Sequence, residues 1–318
     1  MRIHRRPPAR ASGPVALTIG NFDGVHRGHE AMVARLMAAA RERGLPAGVM
    51  TFEPHPREFF APAEAPPRLA PLREKLERFA ALGVDEVFVC RFDAAFARQS
   101  PQDFVRDMLA RRLGVRWLLA GDDFRFGARR AGDAGLLRAL GPECGMAVET
   151  MGTVAVDGQR VSSTSVREAL AVGALRRAAE LLGRPYAISG RVEGGERLGR
   201  ELGFPTANVR MALNRPALQG IFCVRVHGAA ARPVAGAASL GVRPTVSDAG
   251  RMGLEVFLLD FRGELYGRRV RVEFLHKLRD EARYDSLDAL RAAIARDVDH
   301  TRAFFRGERG ALAGILHG

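Results

Sequence analysis

The chain has 318 residues, which is too long for a single small domain. Its hydrophobic share of 47% excludes a globally disordered chain, and its formal net charge is +13. Lys75 and Lys277 are the lysines among 49 basic residues, so the other 47 are arginines. Arginine binds phosphate through paired hydrogen bonds, which points to phosphate-rich partners. Genomic base bias also produces Arg- and Ala-rich chains, and the arginines here are dispersed, without the aromatic-spaced basic stripe of nucleic-acid readers.

The sequence also indicates a compartment. No apolar segment follows the N-terminal charges, so RIHRRPPAR is expected to be a solvated tail and not a secretory signal. No run approaches the roughly 18 apolar residues that span a bilayer. The three cysteines (Cys90, Cys144 and Cys223) are far apart and lack CxxC spacing, which argues against disulfides and zinc. We therefore expect a cytoplasmic protein without a membrane partner.

The first half of the chain alternates strand-like and helix-like segments. The predicted strands cover 14–19, 46–52, 85–90, 115–121 and 146–151. The predicted helices cover 29–43, 71–83, 101–114 and 136–143. This alternation predicts an α/β domain with a parallel sheet and helices on both faces. Ligands of such sheets bind beyond the carboxyl ends of the strands.

The second half contains short strands separated by turns, which predicts an antiparallel barrel or sandwich. The strands are AISGRVE, GIFCVRVHG, RPVAGAASLG, LEVFLLDF and RRVRVEFL. A final amphipathic helix is expected after Ser286 as N-cap, with apolar residues at helical spacing. These are Leu287, Leu290, Ile294 and Val298. The predicted domains are 1–184 and 185–318, divided at GRPY.

The segment GNFDGVHRGH follows the first strand and carries the first candidate site. Its Gly-rich turn aims backbone N–H groups and a helix N-terminus at an anion, usually phosphate. His26 and His29 add hydrogen-bond donors that stabilise charge developing during a reaction. A plain turn would explain the glycines, but not two histidines at HxxH spacing.

A second candidate phosphate site lies in VSSTSVREAL. Ser165 and Glu168 match a capping box at a helix start. Hydroxyls at a helix N-terminus with an arginine in the first turn bind phosphate. The candidate phosphate ligands are Ser162, Ser163, Thr164 and Arg167.

Two further loops follow predicted strands. In GDDFRFG, Asp122 and Asp123 are typical of a turn, while Phe124 and Phe126 can line a pocket for a flat ring. In FEPHP, His55 lies between two prolines. A stiff loop without a binding role is the alternative for both.

In the second half, RLGRELGFPTAN is Gly-rich but lacks the GK[ST] of a Walker A loop. Thr206 and Asn208 offer the hard oxygen ligands that suit Mg²⁺ bound with a nucleotide phosphate, although PTAN alone also fits a plain turn. Glu255 is the one acid within the apolar strand LEVFLL. It either faces solvent or serves as a general base.

Taken together, these motifs resemble those of the bacterial bifunctional riboflavin kinase/FAD synthetases. GNFDGVHRGH, FEPHP, GDDFRFG and SSTSVR are similar to the adenylyltransferase half. RLGRELGFPTAN, GVRPTV, LEVFLLDFRGELYG and VEFLHKLRDEARYDSLDAL are similar to the kinase half. The resemblance implies a Rossmann-like nucleotidyltransferase domain followed by an antiparallel β-barrel kinase domain with a terminal helix.

The resemblance also implies two Mg²⁺-dependent reactions. The barrel would phosphorylate riboflavin with ATP to give FMN, and the N-terminal domain would transfer AMP from ATP to FMN, giving FAD and pyrophosphate. It implies catalytic roles for His26, His29, Arg167 and Glu255. ATP and its phosphates would contact Gly20, Asn21, Phe22, Asp23, Gly24, Ser162, Ser163, Thr164, Thr206 and Asn208, the last two also holding Mg²⁺. The flavin would contact His55, Asp123, Phe124 and Phe126.

Two positions depart from the family pattern: no histidine lies near Gly194, and Phe222 stands where a tyrosine is common. Two alternatives stay open. One is an adenylyltransferase whose barrel only binds flavin for regulation, against which PTAN and Glu255 argue. The other is a nucleic-acid-binding protein, although we expect no nucleic-acid partner. The sequence leaves the oligomeric state open.

Overall fold

A computed structural model of the chain describes residues 1–194, 202–213, 215–242 and 252–307. These residues form two compact units. The first comprises Met1–Pro66 and Leu72–Ser163, and the second comprises Pro67–Pro71 and the described residues from Thr164 onwards. The predicted boundary between residues 184 and 185 separates two expected activities and stays a prediction.

The first unit is built on a six-stranded parallel sheet with the order β1-β4-β3-β2-β5-β6. Its strands are β1 (Arg2–His4), β2 (Val15–Ile19), β3 (Ala47–Glu53), β4 (Glu86–Arg91), β5 (Val115–Gly121) and β6 (Ala147–Met151). The strand order changes direction between β2 and β5. This is the switch point at which ligands bind in such sheets.

Helices cover both faces of this sheet. They are α1 (Arg27–Glu42), α2 (Pro56–Phe60), α3 (Leu72–Ala81), α4 (Ala94–Ala97), α5 (Pro101–Asp103), a π-helix (Phe104–Arg112), a 3₁₀ turn (Ala128–Arg130) and α6 (Ala134–Glu143). Residues of α1 and α3 form one core with Ala16 and Trp117, and residues of the π-helix and α6 form a second core with Leu17 and Leu118. Because successive strand residues face opposite ways, these cores lie on opposite faces. A small antiparallel hairpin, β7 (Ala155–Val156) and β8 (Gln159–Arg160), follows β6.

The second unit contains two helices, a closed barrel and a terminal helix. The helices are α7 (Ser163–Ala171), whose first residue belongs to the first unit, and α8 (Leu175–Leu182). The barrel strands are β9 (Ala187–Glu193), β10 (Thr206–Met211), β11 (Gly220–His227), β12 (Val234–Val242), β13 (Met252–Leu258) and β14 (Arg269–Arg279). They pair antiparallel in the closed order β10-β13-β12-β11-β14-β9. The predicted parallel α/β domain and antiparallel barrel are confirmed.

The terminal helix α9 (Leu287–Arg306) begins at Ser286 as predicted, and the Ser286 hydroxyl accepts the Ala289 N–H at 3.2 Å. Of the predicted apolar stripe, Val298 is buried and Leu290 and Ile294 are half-buried, whereas Leu287 is 60% exposed. The buried residues are Ala293, Asp297, Val298 and Thr301. The buried Asp297 accepts two hydrogen bonds from the half-buried Arg279 of β14, at 3.0 and 2.7 Å, so this ion pair anchors the helix.

Three further expectations need correction. The N-terminal segment is not all solvated tail: β1 pairs with β4, and His4 stacks on Phe88 at 4.7 Å and hydrogen-bonds Glu86 at 3.1 Å. The predicted helix over 101–114 is mostly a π-helix, in which the Leu113 N–H donates to the Met108 carbonyl five residues back.

The third correction concerns the capping box. Helix α7 begins at Ser163, so Ser165 lies inside the helix and is not its N-cap.

The departure at Phe222 has a structural explanation, because its ring is fully buried and packs edge-on against Phe274 at 5.3 Å. The histidine position near Gly194 borders residues 195–201, which lie outside the described residues.

Candidate active sites

The loop between β2 and α1 has an unusual backbone shape at the switch point. Phe22 and Val25 adopt positive φ angles of 50° and 41°, and Gly24 one of 79°. Such angles are costly for residues with a side chain and persist where the surroundings enforce them. Phe22, Asp23 and Val25 are all buried, so the loop is held by packing and not by its own sequence alone.

The two predicted histidines stand together at the start of α1. His26 is the N-cap, and its Nδ1 accepts the backbone N–H of His29 at 3.4 Å. The two rings stack with centroids 3.6 Å apart. A Cβ at Gly28 would lie 3.2 Å from the His26 ring and 3.5 Å from the Val161 carbonyl oxygen, so the glycine lets α1 approach both. Loop and helix therefore present two imidazoles at one helix N-terminus.

A cleft of about 240 Å³ opens beside these histidines. Its lining comes from the ends of β5 and β6 as well as from α1, and it includes His26, His29, Asp123, Arg160, Ser162 and Ser163. The Ser163 hydroxyl donates to the Asp23 carbonyl oxygen at 3.0 Å. The structure thus brings together GNFDGVHRGH and the first half of SSTSVR, which lie far apart in sequence.

The other half of SSTSVR belongs to the second unit. Thr164 is exposed, and Arg167 donates through Nε to the carbonyl oxygen of Pro67 at 2.6 Å. The phosphate-binding roles of Thr164 and Arg167 stay predictions.

A second cavity in the first unit has a volume of about 510 Å³ and a largely aromatic wall. Gly20, Asn21, Asp123, Phe124 and Phe126 of the predicted site residues line it. Phe124 and Phe126 stack with ring centroids 5.6 Å apart. His55 is the N-cap of α2, where its Nδ1 accepts the Arg57 N–H at 3.1 Å, and it is not among the lining residues.

Sequence reasoning missed most of this cavity's wall. The additional aromatic residues are Phe52, Phe60, Phe92, Phe96 and Phe104. The additional cations are Arg57, Arg125, Arg129 and Arg130. Phe92 could have been suspected from the sequence, since it lies two residues after a predicted strand, as other site residues lie close to strand ends. A wide apolar slot edged by cations suits a flat ring that carries an anionic group.

Asp123 connects the two spaces of the first unit, because it lines both the histidine cleft and the aromatic cavity. Its carboxylate forms an ion pair with Arg160 of β8. The two spaces are therefore neighbours near the ends of β2 and β5.

The barrel carries a separate polar cluster on neighbouring strands. Asn208 of β10 pairs directly with Glu255 of β13, and the Thr206 hydroxyl donates to Glu255 Oε2 at 3.3 Å. The flanking Leu254 and Val256 are fully buried, whereas Glu255 is partly exposed, so the carboxylate lies on the other face of β13 from the barrel core. The three residues predicted for the kinase site are thus adjacent.

A cavity of about 940 Å³ begins at Thr206 and extends along the segment 257–266. Asp260 and Arg302 border it and form a two-pronged ion pair with both contacts at 2.7 Å. The hydrogen bonds from Arg302 lower the pKa of Asp260. The pair thereby links the segment 257–266, which lines this cavity, to α9.

Among the described residues, no cluster of three or more His, Cys, Asp or Glu side chains is arranged to hold a metal ion by itself. Thr206 and Asn208 nevertheless offer hard oxygen donors that suit Mg²⁺, which protein sites hold with few side chains and with substrate phosphates.

A parallel α/β unit with a histidine-bearing loop at its switch point, joined to a closed antiparallel barrel, is typical of a two-domain enzyme that uses nucleotides. Comparison with known families agrees. The FAD synthetase family model matches residues 9–165, and the riboflavin kinase model matches residues 182–305. The chain belongs to the family of bifunctional riboflavin kinases/FMN adenylyltransferases.

Its similarity to proteins of that name extends over nearly the whole chain. The Escherichia coli protein is 49% identical over 303 residues, covering 95% of this chain and 96% of its own. The Pseudomonas fluorescens protein is 49% identical over 286 residues, covering 90% and 91%. A crystal structure described as a macrolide-efflux protein from Streptococcus pneumoniae superposes with a TM-score of 0.79 at 27% identity, covering 94% of this chain and 98% of that one. In the described part of this chain, no helix combines the length and apolarity needed to cross a membrane.

Proposed function

We propose that the chain makes FAD from riboflavin in two steps, with the barrel forming FMN and the α/β unit adenylylating it. The observation that carries this proposal is the presence of two separate clusters of different chemistry, one with paired histidines and one with a carboxylate. The family membership of both halves supports it.

In the α/β unit, ATP occupies the histidine cleft and FMN the aromatic cavity. The FMN phosphate attacks the α-phosphorus of ATP, the bond to the bridging oxygen breaks, and pyrophosphate leaves. The nucleophile is already an anion, so the site needs orientation and charge stabilisation rather than a base. Because His26 Nδ1 accepts a hydrogen bond, the neutral ring carries its proton on Nε2. That N–H can donate a hydrogen bond to a phosphate oxygen.

In the barrel, the 5′-hydroxyl of riboflavin attacks the γ-phosphorus of ATP and must lose a proton. Glu255 is the proposed base, because its carboxylate accepts one hydrogen bond within the described part of the chain, from Thr206 at 3.3 Å, and so retains lone pairs for the substrate hydroxyl. Thr206 and Asn208 bind ATP.

Mg²⁺ belongs to the proposal as a companion of ATP, with Thr206 and Asn208 as its ligands in the barrel. When bound, it neutralises charge on the phosphates. The protein's own contribution is to present the side-chain oxygen atoms of Thr206 and Asn208, from alternate positions of β10, beside Glu255.

The cytoplasm is the proposed location. Cys90, Cys144 and Cys223 are all free thiols, which suits a reducing compartment.

The test is incubation of the chain with riboflavin, ATP and Mg²⁺, followed by chromatographic separation of flavins. We expect FMN to appear first and FAD to follow, with pyrophosphate released in proportion to FAD. FMN without FAD, even from supplied FMN, would refute adenylylation. FAD from supplied FMN without any FMN from riboflavin would instead indicate the regulatory barrel considered above.

A further inference from the structure

Lys75 of α3 is a lysine in an unusual place. It is only 3% exposed, and its Nζ donates to the carbonyl oxygen of Asn21 at 3.2 Å. Burying an ammonium group is costly unless hydrogen bonds compensate for the lost water. An apolar side chain of similar length would fill the same space without that cost. The contact with Asn21 directs this charge at the backbone of the loop after β2.

The same Asn21 carbonyl accepts a second hydrogen bond, from the fully buried hydroxyl of Thr51 on β3 at 3.2 Å. Two donors from different elements fix the direction of that carbonyl. In a trans peptide the following N–H points the opposite way. The N–H of Phe22 is therefore aimed away from Lys75 and Thr51.

Helix α3 also holds the side chain of Phe22. The Phe22 ring packs edge-on against Phe79 of α3 with centroids 5.3 Å apart, and it contacts His29 at 5.0 Å. Phe22 has the positive φ angle noted above, so its conformation needs external support. One helix thus supplies a backbone contact through Lys75 and a ring contact through Phe79.

We propose that Lys75 is a positioning residue for adenylyl transfer. It holds the loop after β2, in which Phe22, Gly24 and Val25 have positive φ angles, in its conformation before the nucleotide binds. This inference rests on the function proposed for the α/β unit. Lys75 lines neither the histidine cleft nor the aromatic cavity. It acts through Asn21 and Phe22, which carry its effect to the loop and to His29.

The test compares Lys75→Met with Leu76→Ala as a matched control. Methionine keeps an unbranched stem of similar length and removes the charge. Leu76 is the adjacent residue of the same helix and packs in the hydrophobic core, so its truncation destabilises α3 while leaving the donor to Asn21 in place. The measurements are kcat and KM for FAD formation from FMN, and the rate of FMN formation from riboflavin in the same preparation.

We expect Lys75→Met to lower kcat for FAD formation by about 10- to 100-fold, since small misplacements of a positioned group have effects of that size. The KM for FMN should change less than kcat, by no more than about threefold, because Asn21 is the lining residue that Lys75 contacts and the aromatic residues of the cavity wall are unchanged. FMN formation should be unaffected. Thr51→Val, which removes the other donor with little change of shape, should lower kcat in the same way by about tenfold.

The outcomes separate the two proposals. If the unaltered chain makes no FAD, the proposed function fails. If it makes FAD and Lys75→Met retains its kcat, or loses no more than Leu76→Ala, the positioning role is overturned. If Lys75→Met does not fold, Thr51→Val decides: a lowered kcat with intact FMN formation supports the inference, and an unchanged kcat overturns it.

Discussion

Replacing Glu255 by glutamine should stop FMN formation without disturbing the barrel. The substitution keeps the shape of the side chain and an oxygen that can accept the hydrogen bond from Thr206, 3.3 Å away. It removes the group proposed to take the proton of the riboflavin hydroxyl.

The expected magnitude follows from these two facts. A positioned general base contributes about 10²- to 10⁴-fold to rate, which corresponds to about 3–5 kcal/mol of activation free energy. The Thr206 contact is long and partly exposed, so even its complete loss would change the free energy of unfolding by only about 1 kcal/mol. Glu255→Gln should therefore lose most of its rate of FMN formation while its free energy of unfolding changes little.

Glu193→Gln is the matched control. Glu193 lies on β9 and pairs with Asn208 from the side opposite Glu255, so both carboxylates flank the same amide. Glu193 is exposed and forms an ion pair with Arg210 at 3.0 Å. Its replacement should leave the initial rate of FMN formation within about threefold, as expected for an exposed ion pair.

The assay measures FMN from riboflavin and, separately, FAD from supplied FMN. The second activity should be normal in both variants. The role assigned to Glu255 would be refuted by a Glu255→Gln enzyme that forms FMN at more than a third of the normal rate. Equal impairment of the two variants would also contradict it, because the effect would then be one of local charge.

Three further predictions concern other parts of the chain. His29→Ala should lower kcat for FAD formation by about 10²- to 10³-fold, the cost of losing a donor to developing charge, while FMN formation continues; a loss confined to KM would contradict this role. Phe124→Ala should raise the KM for FMN up to about tenfold, since it removes an aromatic contact of the cavity, and an unchanged KM would place the flavin elsewhere. Asp297→Ala should lower the free energy of unfolding by about 1.5–3 kcal/mol in urea denaturation, because it removes two hydrogen bonds to the half-buried Arg279. A change below about 1 kcal/mol would show that the pair does not anchor α9.

The sequence predicted most elements because their signals are local. Strands such as Val115–Gly121 are apolar runs bounded by turns, and Ser286 is a strong N-cap residue in any context. The first strand is different. Arg2–His4 is short and charged, and it becomes a strand only because β4 offers a free edge, with Glu86 and Phe88 positioned for His4. Nothing in the first ten residues encodes those partners.

The candidate sites divide in the same way. His26 and His29 are neighbours in sequence, so their pairing could be predicted from the motif. Phe124 and Phe126 could be predicted to line a pocket, but the rest of the aromatic wall could not. Phe52, Phe96 and Phe104 come from separate elements that meet only in the folded unit. Burial is also invisible to a motif: the sequence marks Lys75 as an ordinary helical lysine, and only packing shows that it lies inside.

The hydrogen bond from Ser163 to the Asp23 carbonyl spans 140 positions of the chain. Closing so long a loop is entropically costly, and contacts of this kind form late in folding. A ribosome must therefore synthesise the whole α/β unit before the histidine loop receives this support. Truncated products that end before residue 163 would carry every residue of GNFDGVHRGH without its finished geometry. The nucleotide chemistry proposed for this loop would thereby depend on complete synthesis of the unit.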